Sequence, residues 1–455
     1  MSLSDSPEDS SSSDDFAEFL DAELDSISEF DENNSVLDTE SEKRRKVELS
    51  GGVITRVITS HSSSSQEEPS KLLGSLPKNT CTHPVIFARF CPRCGKKVED
   101  EFGVAFGYIH KDLRLSNDEI ARIRDRDSKN LLRNKKLCLI LDLDHTLLNS
   151  AQLCDITVEE EYLKGQVDSL PGNLKSTLFR LDQIQMMTKL RPFVHELLKE
   201  VNDMFELYIY TMGERPYALA MANLLDPRGV YFNERLISRD DCTQRHQKGL
   251  DLVLVKESAV IILDDTEAVW GKDKENLILM GRYHYFASSC RQFGLINCKS
   301  LSELKSEESE TEGALATVLK ILKQIHSSFF DEERKDKLED RDVRQVLKTV
   351  RKEVLKDCKV VFSRVFPTNS RPEHHPSWKM AEQLGATCSR ELDPSVTHVV
   401  SMDAGTDKSR WAVRENKHLV HPRWIEASMY LWLKQNEENF PVSHSKNQTN
   451  LVSNL

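Results

Sequence analysis

The sequence predicts an α/β chain, a parallel sheet flanked by helices, with a second and smaller α/β unit behind it. Three apolar runs carry the first half of that prediction. KLCLILDLD (136–144), FELYIYTMG (205–213) and AVIILDD (259–265) are rich in Leu, Ile or Val, and each ends in polar residues. Such runs are strands buried on both faces, as in a sheet covered by helices. Between them lie stretches with helical spacing, PFVHELLKEVND after Arg191 and PYALAMANLLD after Arg215. The alternation of strand and helix then resumes from 354 to 441.

In chain order, residues 1–77 form an acidic tail predicted to be disordered. Residues 1–40 contain 14 Asp or Glu and no Lys or Arg, so against a net charge of −12 the rest of the chain is nearly neutral. Runs such as SSSDD and SSSSQEE bury too little apolar area to offset chain entropy. Inside the tail, Phe16, Phe19, Leu20, Leu24 and Ile27 recur at helical spacing. Two readings stand: an acidic amphipathic segment that folds on a basic groove, or a solvated tail with scattered aromatics. The basic run Lys43-Arg44-Arg45-Lys46 (43–46) reads as a nuclear import signal or as a chance cluster. Residues 78–100 hold a Cys/His group, 130–300 the first α/β unit, 310–353 a charged helical connector, 354–441 the second unit and 442–455 a polar tail.

Several classes are excluded. The apolar runs 137–141 and 259–263 are five residues and none in the chain exceeds six, and a membrane span needs about 20. The acidic, polar N-terminus is unlike a secretory leader. Ten irregularly spaced Cys form no disulfide framework and imply a reducing compartment. The near-neutral body predicts no direct binding of nucleic acid.

The chemistry collects at the strand ends, where open α/β sheets bind ligands. Asp142 and Asp144 stand two apart after the first run, with Thr146 following. If the strand continued through them, period-two spacing would put both carboxylates on one side. Thr211 ends the second run, and Asp264 and Asp265 end the third. Lys248 lies in the loop-to-helix stretch HQKGLDLVL. Four carboxylates in one crevice repel one another, and a hard divalent cation relieves that repulsion. Lys and Thr at the same rim suit a phosphoryl group, and a carboxylate beside the metal can attack phosphorus.

LDLDHTLLN resembles the first motif of the haloacid dehalogenase-like phosphatases, DxDxT followed by two apolar residues. Residues 135–300 resemble the branch that dephosphorylates the C-terminal repeat domain of RNA polymerase II, through KLRPF (189–193), YIYTMG (208–213), LLDP (224–227) and IILDDTEAVWG (261–271). The resemblance implies a Rossmannoid parallel sheet and a protein serine phosphatase of the nucleus, acting on phosphoserine in the polymerase heptad repeats. It makes Asp142 the nucleophile and Asp144 the general acid/base. Thr211 and Lys248 become phosphate ligands, and Asp142, Asp144, Asp264 and Asp265 the Mg²⁺ site, which Mn²⁺ or Co²⁺ could also fill. Arg191 holds phosphate or fixes the loop. Residues 149–188 are longer than a βα loop needs; they wall the cleft or are a surface excursion. Two other readings stand beside the enzyme: a transcription-complex docking protein, and a phosphatase for small metabolites.

Two further groups are singled out. Cys81, His83, Cys91 and Cys94 read as a structural Zn²⁺ knuckle, the CPRCG piece carrying the resemblance, or as reduced structural cysteines. In the second unit, KVVFSRVF (359–366), PSWKMAEQLGA (376–386), THVVS (397–401), DKSRWAVREN, HLV (418–420) and HPRWIEASMYLW resemble a BRCT module, with Trp424 as a core anchor. Ser363 and Lys408 fall where phosphopeptide-binding modules of that kind place a hydroxyl and an ammonium; a docking surface of another kind is the alternative. The family also implies a general transcription factor, TFIIF-like, as partner of this module or of the acidic tail.

Overall fold

The structure, a computed structural model, describes residues 81–99, 101–168, 177–295, 298–367 and 370–444. The acidic tail, its Phe16–Ile27 segment, the basic run 43–46 and most of 442–455 lie outside the described residues. The description opens with a small antiparallel sheet of order β1-β3-β2, from β1 (Val85–Phe87), β2 (Val104–Ala105) and β3 (Leu113–Leu115). Helix α1 (Asn117–Arg133) follows. Ser116 caps it by accepting the N–H of Glu119, and Ile120, Ile123 and Leu131 form its buried stripe.

The main body is a five-stranded parallel sheet of order β11-β10-β4-β8-β9. Its strands are β4 (Leu137–Leu141), β8 (Phe205–Tyr210), β9 (Leu236–Ile237), β10 (Val260–Asp264) and β11 (Leu277–Leu279). Every residue of β4 and β10 is buried, as the continuous apolar runs require. Each such aliphatic side chain contributes about 1.5–3 kcal/mol by leaving water. Between β4 and β8 the chain makes β5 (Leu148–Gln152), α2 (Tyr162–Asp168), β6 (Leu178–Leu181), β7 (Met186–Leu190) and α3 (Val194–Asn202). The three strands form an antiparallel sheet, β5-β7-β6, so the stretch 149–188 is a built layer. Ala151, Leu163 and Met187 pack there with Tyr283, Tyr285 and Phe286. Helix α4 (Arg215–Leu225) follows β8, and α5 (Ala287–Gln292) follows β11.

The predicted connector divides in two. Helix α6 (Ala314–Phe329) buries Leu315, Val318, Leu322, Ile325 and Phe329 and packs on α3 and α7 (Val343–Lys352). Between them, DEERKDKLED forms only one 3-10 turn, Leu338–Asp340. That run alternates charge without an apolar stripe, so it has no face to bury as a helix. The pair is therefore part of the packed body.

The C-terminal sheet is also parallel, of order β13-β12-β14-β15. It comprises β12 (Lys359–Ser363), α8 (Pro376–Gln383), β13 (Thr387–Ser389), β14 (His398–Ser401), α9 (Asp407–Arg414), β15 (His418–Val420) and α10 (Arg423–Leu431). Trp424, fully buried, joins Val360, Phe362, Trp378 and Leu384 in its core. After α8, Gly385 takes φ +95°, and a Cβ there would collide with Lys352 O. Only glycine fits that turn. Helix α10 packs on β11 and α6, which sets Tyr430 against Gly281.

Candidate active site

Strand register assembles the site. Leu141 pairs with Leu263 on one side and Ile209 on the other. Asp142 and Asp264 therefore fall in the next row together, with Thr211 one row further, just past the end of β8. The N–H of Asp142 donates to Leu263 O at 3.0 Å, and that of Thr211 to Ile237 O at 3.0 Å.

Strand β4 ends at Leu141, so the pleat does not place Asp144, contrary to the expectation of a strand running through both aspartates. A tight turn does so. His145 takes φ +61°, a left-handed conformation that His tolerates better than most residues. Its N–H donates to Leu148 O at 2.8 Å. Arg191 pins the turn: its Nη1 donates to Thr146 O at 3.1 Å while Nη2 pairs with Glu308 at 2.8 Å. The guanidinium is buried and faces these partners. Of its two predicted roles, fixing the loop is the one this geometry supports. Arg191 Nε also donates to Glu308, at 2.9 Å.

Lys248 sits between two carboxylates, its Nζ 2.6 Å from Asp142 Oδ1 and 2.6 Å from Asp264 Oδ2. Its own backbone N–H is tied to Val269 O at 2.8 Å. Asp264 also accepts Trp270 Nε1 at 2.8 Å and the N–H of Thr266 at 2.8 Å. Asp265 pairs with Arg282 Nε at 2.7 Å. Thr211 Oγ1 accepts the N–H of Gly213 at 3.0 Å. Asp144 points elsewhere: it takes the hydroxyl of Tyr217, which is also 2.9 Å from Ser150 Oγ on β5. Gly213 makes room, since a Cβ there would stand 2.6 Å from the Tyr217 ring.

Burial sets the proton affinities. It pushes the Asp142 carboxyl well up, with the Asp264 charge adding to it. Burial likewise raises Asp264 and lifts Asp144 to about 6. Burial works to lower Lys248, but the Asp142 and Asp264 charges outweigh it and the ammonium is held above its usual range. The result is a neutral-leaning acid, a fixed cation and surplus carboxylate in one closed space. Carboxylate oxygens of Asp142, Asp264 and Asp265 lie within 4.8 Å of one another. An all-oxygen donor set of this size fits a hard divalent cation.

The other predicted groups sit elsewhere. Cys81, His83, Cys91 and Cys94 converge, one ligand atom of each lying within 4.8 Å of the others. Ser363 and Lys408 meet at the end of β12, yet both are engaged by the chain itself. Ser363 Oγ lies 2.8 Å from Thr406 Oγ1, and Lys408 Nζ donates to Arg390 O at 2.8 Å. Sequence reasoning passed over Tyr217, Trp270, Arg282 and Glu308. The first two carried a signal: an aromatic with a polar tip six residues after Thr211 and another six residues after Asp264. The paired Glu308 carried none.

Residues 137–311 match the model of the NLI interacting factor-like phosphatases, and 350–429 that of the BRCA1 C Terminus (BRCT) domain. The solved structure of Fcp1, an essential RNA polymerase II CTD phosphatase, aligns with a TM-score of 0.53 and 25% identity, over 70% of this chain and 100% of that one. The fold and the assembled carboxylates thus belong to the haloacid dehalogenase-like protein phosphatases, carrying a BRCT module. Among relatives, RNA polymerase II C-terminal domain phosphatase-like 4 of Arabidopsis thaliana is 57% identical over 98% of each chain. An RNA polymerase II C-terminal domain phosphatase of Caenorhabditis elegans is 30% identical over 80% of this chain and 56% of its own. The chain belongs to the family of RNA polymerase II C-terminal domain phosphatase-like proteins.

Proposed function

We propose that this chain removes phosphate from phosphoserine in the heptad repeats of the RNA polymerase II C-terminal domain, by way of an aspartyl-phosphate on Asp142. One observation carries the chemistry: Asp142, Asp264 and Lys248 are held in contact at the end of β4 and β10, with Asp144 beside them under separate control.

In the first step an Asp142 carboxylate oxygen attacks phosphorus and the bond from phosphorus to serine Oγ breaks. Asp144, lifted to about 6, gives its proton to the departing oxygen. Tyr217 holds Asp144 in place meanwhile. In the second step Asp144, now a carboxylate, takes a proton from water. That water attacks the aspartyl-phosphate, inorganic phosphate leaves, and Asp142 is restored. Lys248 offsets charge on Asp142 and on the phosphoryl oxygens, and Thr211 donates to them. Asp142, Asp264 and Asp265, with the backbone carbonyl of Asp144, would hold Mg²⁺, or Mn²⁺ or Co²⁺ in its stead, which when bound supplies charge neutralisation at the phosphoryl group.

The heptad substrate rests on the names of the relatives, and a nuclear location follows from that substrate and agrees with the basic run 43–46. A general transcription factor as partner rests on the family resemblance and the acid-rich residues 1–40.

The test is phosphate release from a phosphorylated heptad peptide, with and without Mg²⁺. Chelation should stop release and Mg²⁺ restore it. A metal-independent rate overturns the carboxylate-site argument. Release from a small ester but not from the peptide overturns the substrate. Release from neither moves the chain to the docking class.

A further inference from the structure

The Cys/His group at the edge of the β1-β3-β2 sheet has a geometry of its own. Cys81 Sγ lies 3.8 Å from Cys91 Sγ, and Cys94 Sγ lies 3.4 Å from His83 Nδ1. A tetrahedral Zn²⁺ with Zn–S about 2.3 Å and Zn–N about 2.0–2.1 Å sets two sulfurs about 3.8 Å apart, and sulfur and nitrogen about 3.5 Å apart. The observed separations match these edges. A disulfide would draw the sulfurs to about 2.05 Å, and apolar packing of thiols would not gather an imidazole among them.

The backbone also shapes the turn that carries Cys91 and Cys94. Gly95 N–H returns to Cys91 O at 2.8 Å, and Cys91 N–H donates to Lys96 O at 2.9 Å. Gly95 closes this Cys-Pro-Arg-Cys-Gly turn at φ +70°, which glycine adopts without strain. Inside the turn the amides of Arg93 and Cys94 are aimed at the Cys91 sulfur. The amide of His83 is aimed at that of Cys81. A two-residue hairpin turn, Ala88 and Arg89 at φ +47° and +69°, lets Phe87 and Phe90 exchange bonds of 2.9 Å. It folds the chain so that the Cys81–His83 segment lies over the Cys91 turn.

We propose that Cys81, His83, Cys91 and Cys94 bind one structural Zn²⁺. The protein fills all four positions, so the site carries no reactive water. Strands of three, two and three residues make a sheet too small to sustain itself, and a metal supplies the missing stabilisation. The unit so fixed supports the Lys248 segment from behind. Tyr108 hydroxyl donates to Leu252 O at 2.9 Å, and a side chain at Gly107 would collide with Asp241.

The experiment is metal analysis of the full chain, purified without chelator from zinc-supplemented cells. About one zinc per chain is expected, retained through dialysis against Mg²⁺. Joint Cys91→Ser and Cys94→Ser should remove it, whereas Asp264→Asn should keep it. Because the double variant can fail to fold, unsubstituted chain grown with Co²⁺ gives a second readout. Three thiolates produce an intense sulfur-to-cobalt band with strong tetrahedral visible bands; a carboxylate site gives faint ones. Zinc-free chain with no such spectrum overturns the proposal. So does a Cys81–Cys91 disulfide found by mass spectrometry, or zinc lost from Asp264→Asn and kept in the double variant.

Discussion

The chain holds two parallel sheets, and the chemistry of their strand ends differs. In the catalytic sheet, β4 and β10 end in Asp142 and Asp264, which share one lysine. In the C-terminal sheet, β12 and β14 end in Ser363 and Ser401. Ser363 meets Thr406, and Ser401 donates to Asp403 O at 2.9 Å and accepts Ser409 Oγ at 3.0 Å. That second network is neutral, and each hydroxyl has a partner from its own chain. The first keeps like charges in a closed space, a repulsion that a bound cation relieves. Two sheets of one architecture thus separate into a site that waits for a ligand and an edge that is complete alone.

The largest effect that tests this contrast is Asp142→Asn. Turnover should fall on the order of 10⁴-fold, since the amide cannot attack phosphorus. The melting temperature should not drop, because Asn removes one of the repelling carboxylates yet still accepts from Lys248. A lower melting temperature in calorimetry would mean that the carboxylates are structural, and the contrast would fail.

Acid should act on the C-terminal sheet. His398, 2% exposed, is stacked on Trp424 and bonded to Glu437, and burial lowers it to about 4. The unfolded chain binds the proton nearer 6.5. Stability is therefore full above that value and declines as the pH falls toward 4, by about 3 kcal/mol in all. Urea melts at several pH values should show this slope, and His398→Gln should make it shallower, leaving the part set by His145 and His284, which burial lowers to about 4 and about 3. An unchanged slope in the variant would remove His398 as its source.

Ser401→Ala comes next. It leaves buried groups of Asp403 and Ser409 with fewer partners, at a cost of about 1–3 kcal/mol. Small-ester turnover should be unaffected. Lost turnover at full stability would contradict the division of labour between the sheets. The smallest effect is expected from Tyr217→Phe. Without the hydroxyl, Asp144 is less well placed, and kcat on phosphoserine should fall about tenfold. A p-nitrophenyl ester, whose leaving group needs little protonation, should lose much less. Equal losses on both substrates would assign Tyr217 to packing alone.

Much of this was legible beforehand, for a physical reason. A strand covered on both faces must be apolar throughout, so its first polar residue marks the sheet edge where ligands bind. Asp142, Thr211 and Asp264 stand at those transitions. Lys248 was read as a cation near these ends, with no finer placement, because its stretch HQKGLDLVL has no apolar period. The β5-β7-β6 layer was not resolved into strands: LFRL is short and buried at no residue, and MMTKL, though mostly buried, carries Thr and Lys in place of an apolar run. The pair of Arg191 and Glu308 stayed hidden because an ion pair across 117 residues leaves no local pattern. The small N-terminal sheet escaped notice because strands of two or three residues are below any periodicity.

Trp270 brings one last consequence. The chain has five tryptophans, and four of them (Trp378, Trp411, Trp424 and Trp432) lie in the C-terminal third. Trp270 alone sits in the catalytic domain, fully buried, with its indole N–H on Asp264 and its ring 5.6 Å from the Lys248 ammonium. Replacing the other four by phenylalanine would leave a single tryptophan, excited at longer wavelength than the nine tyrosines, bonded to the carboxylate cluster. The protein thus carries a built-in optical gauge of its own cleft, readable without any attached dye.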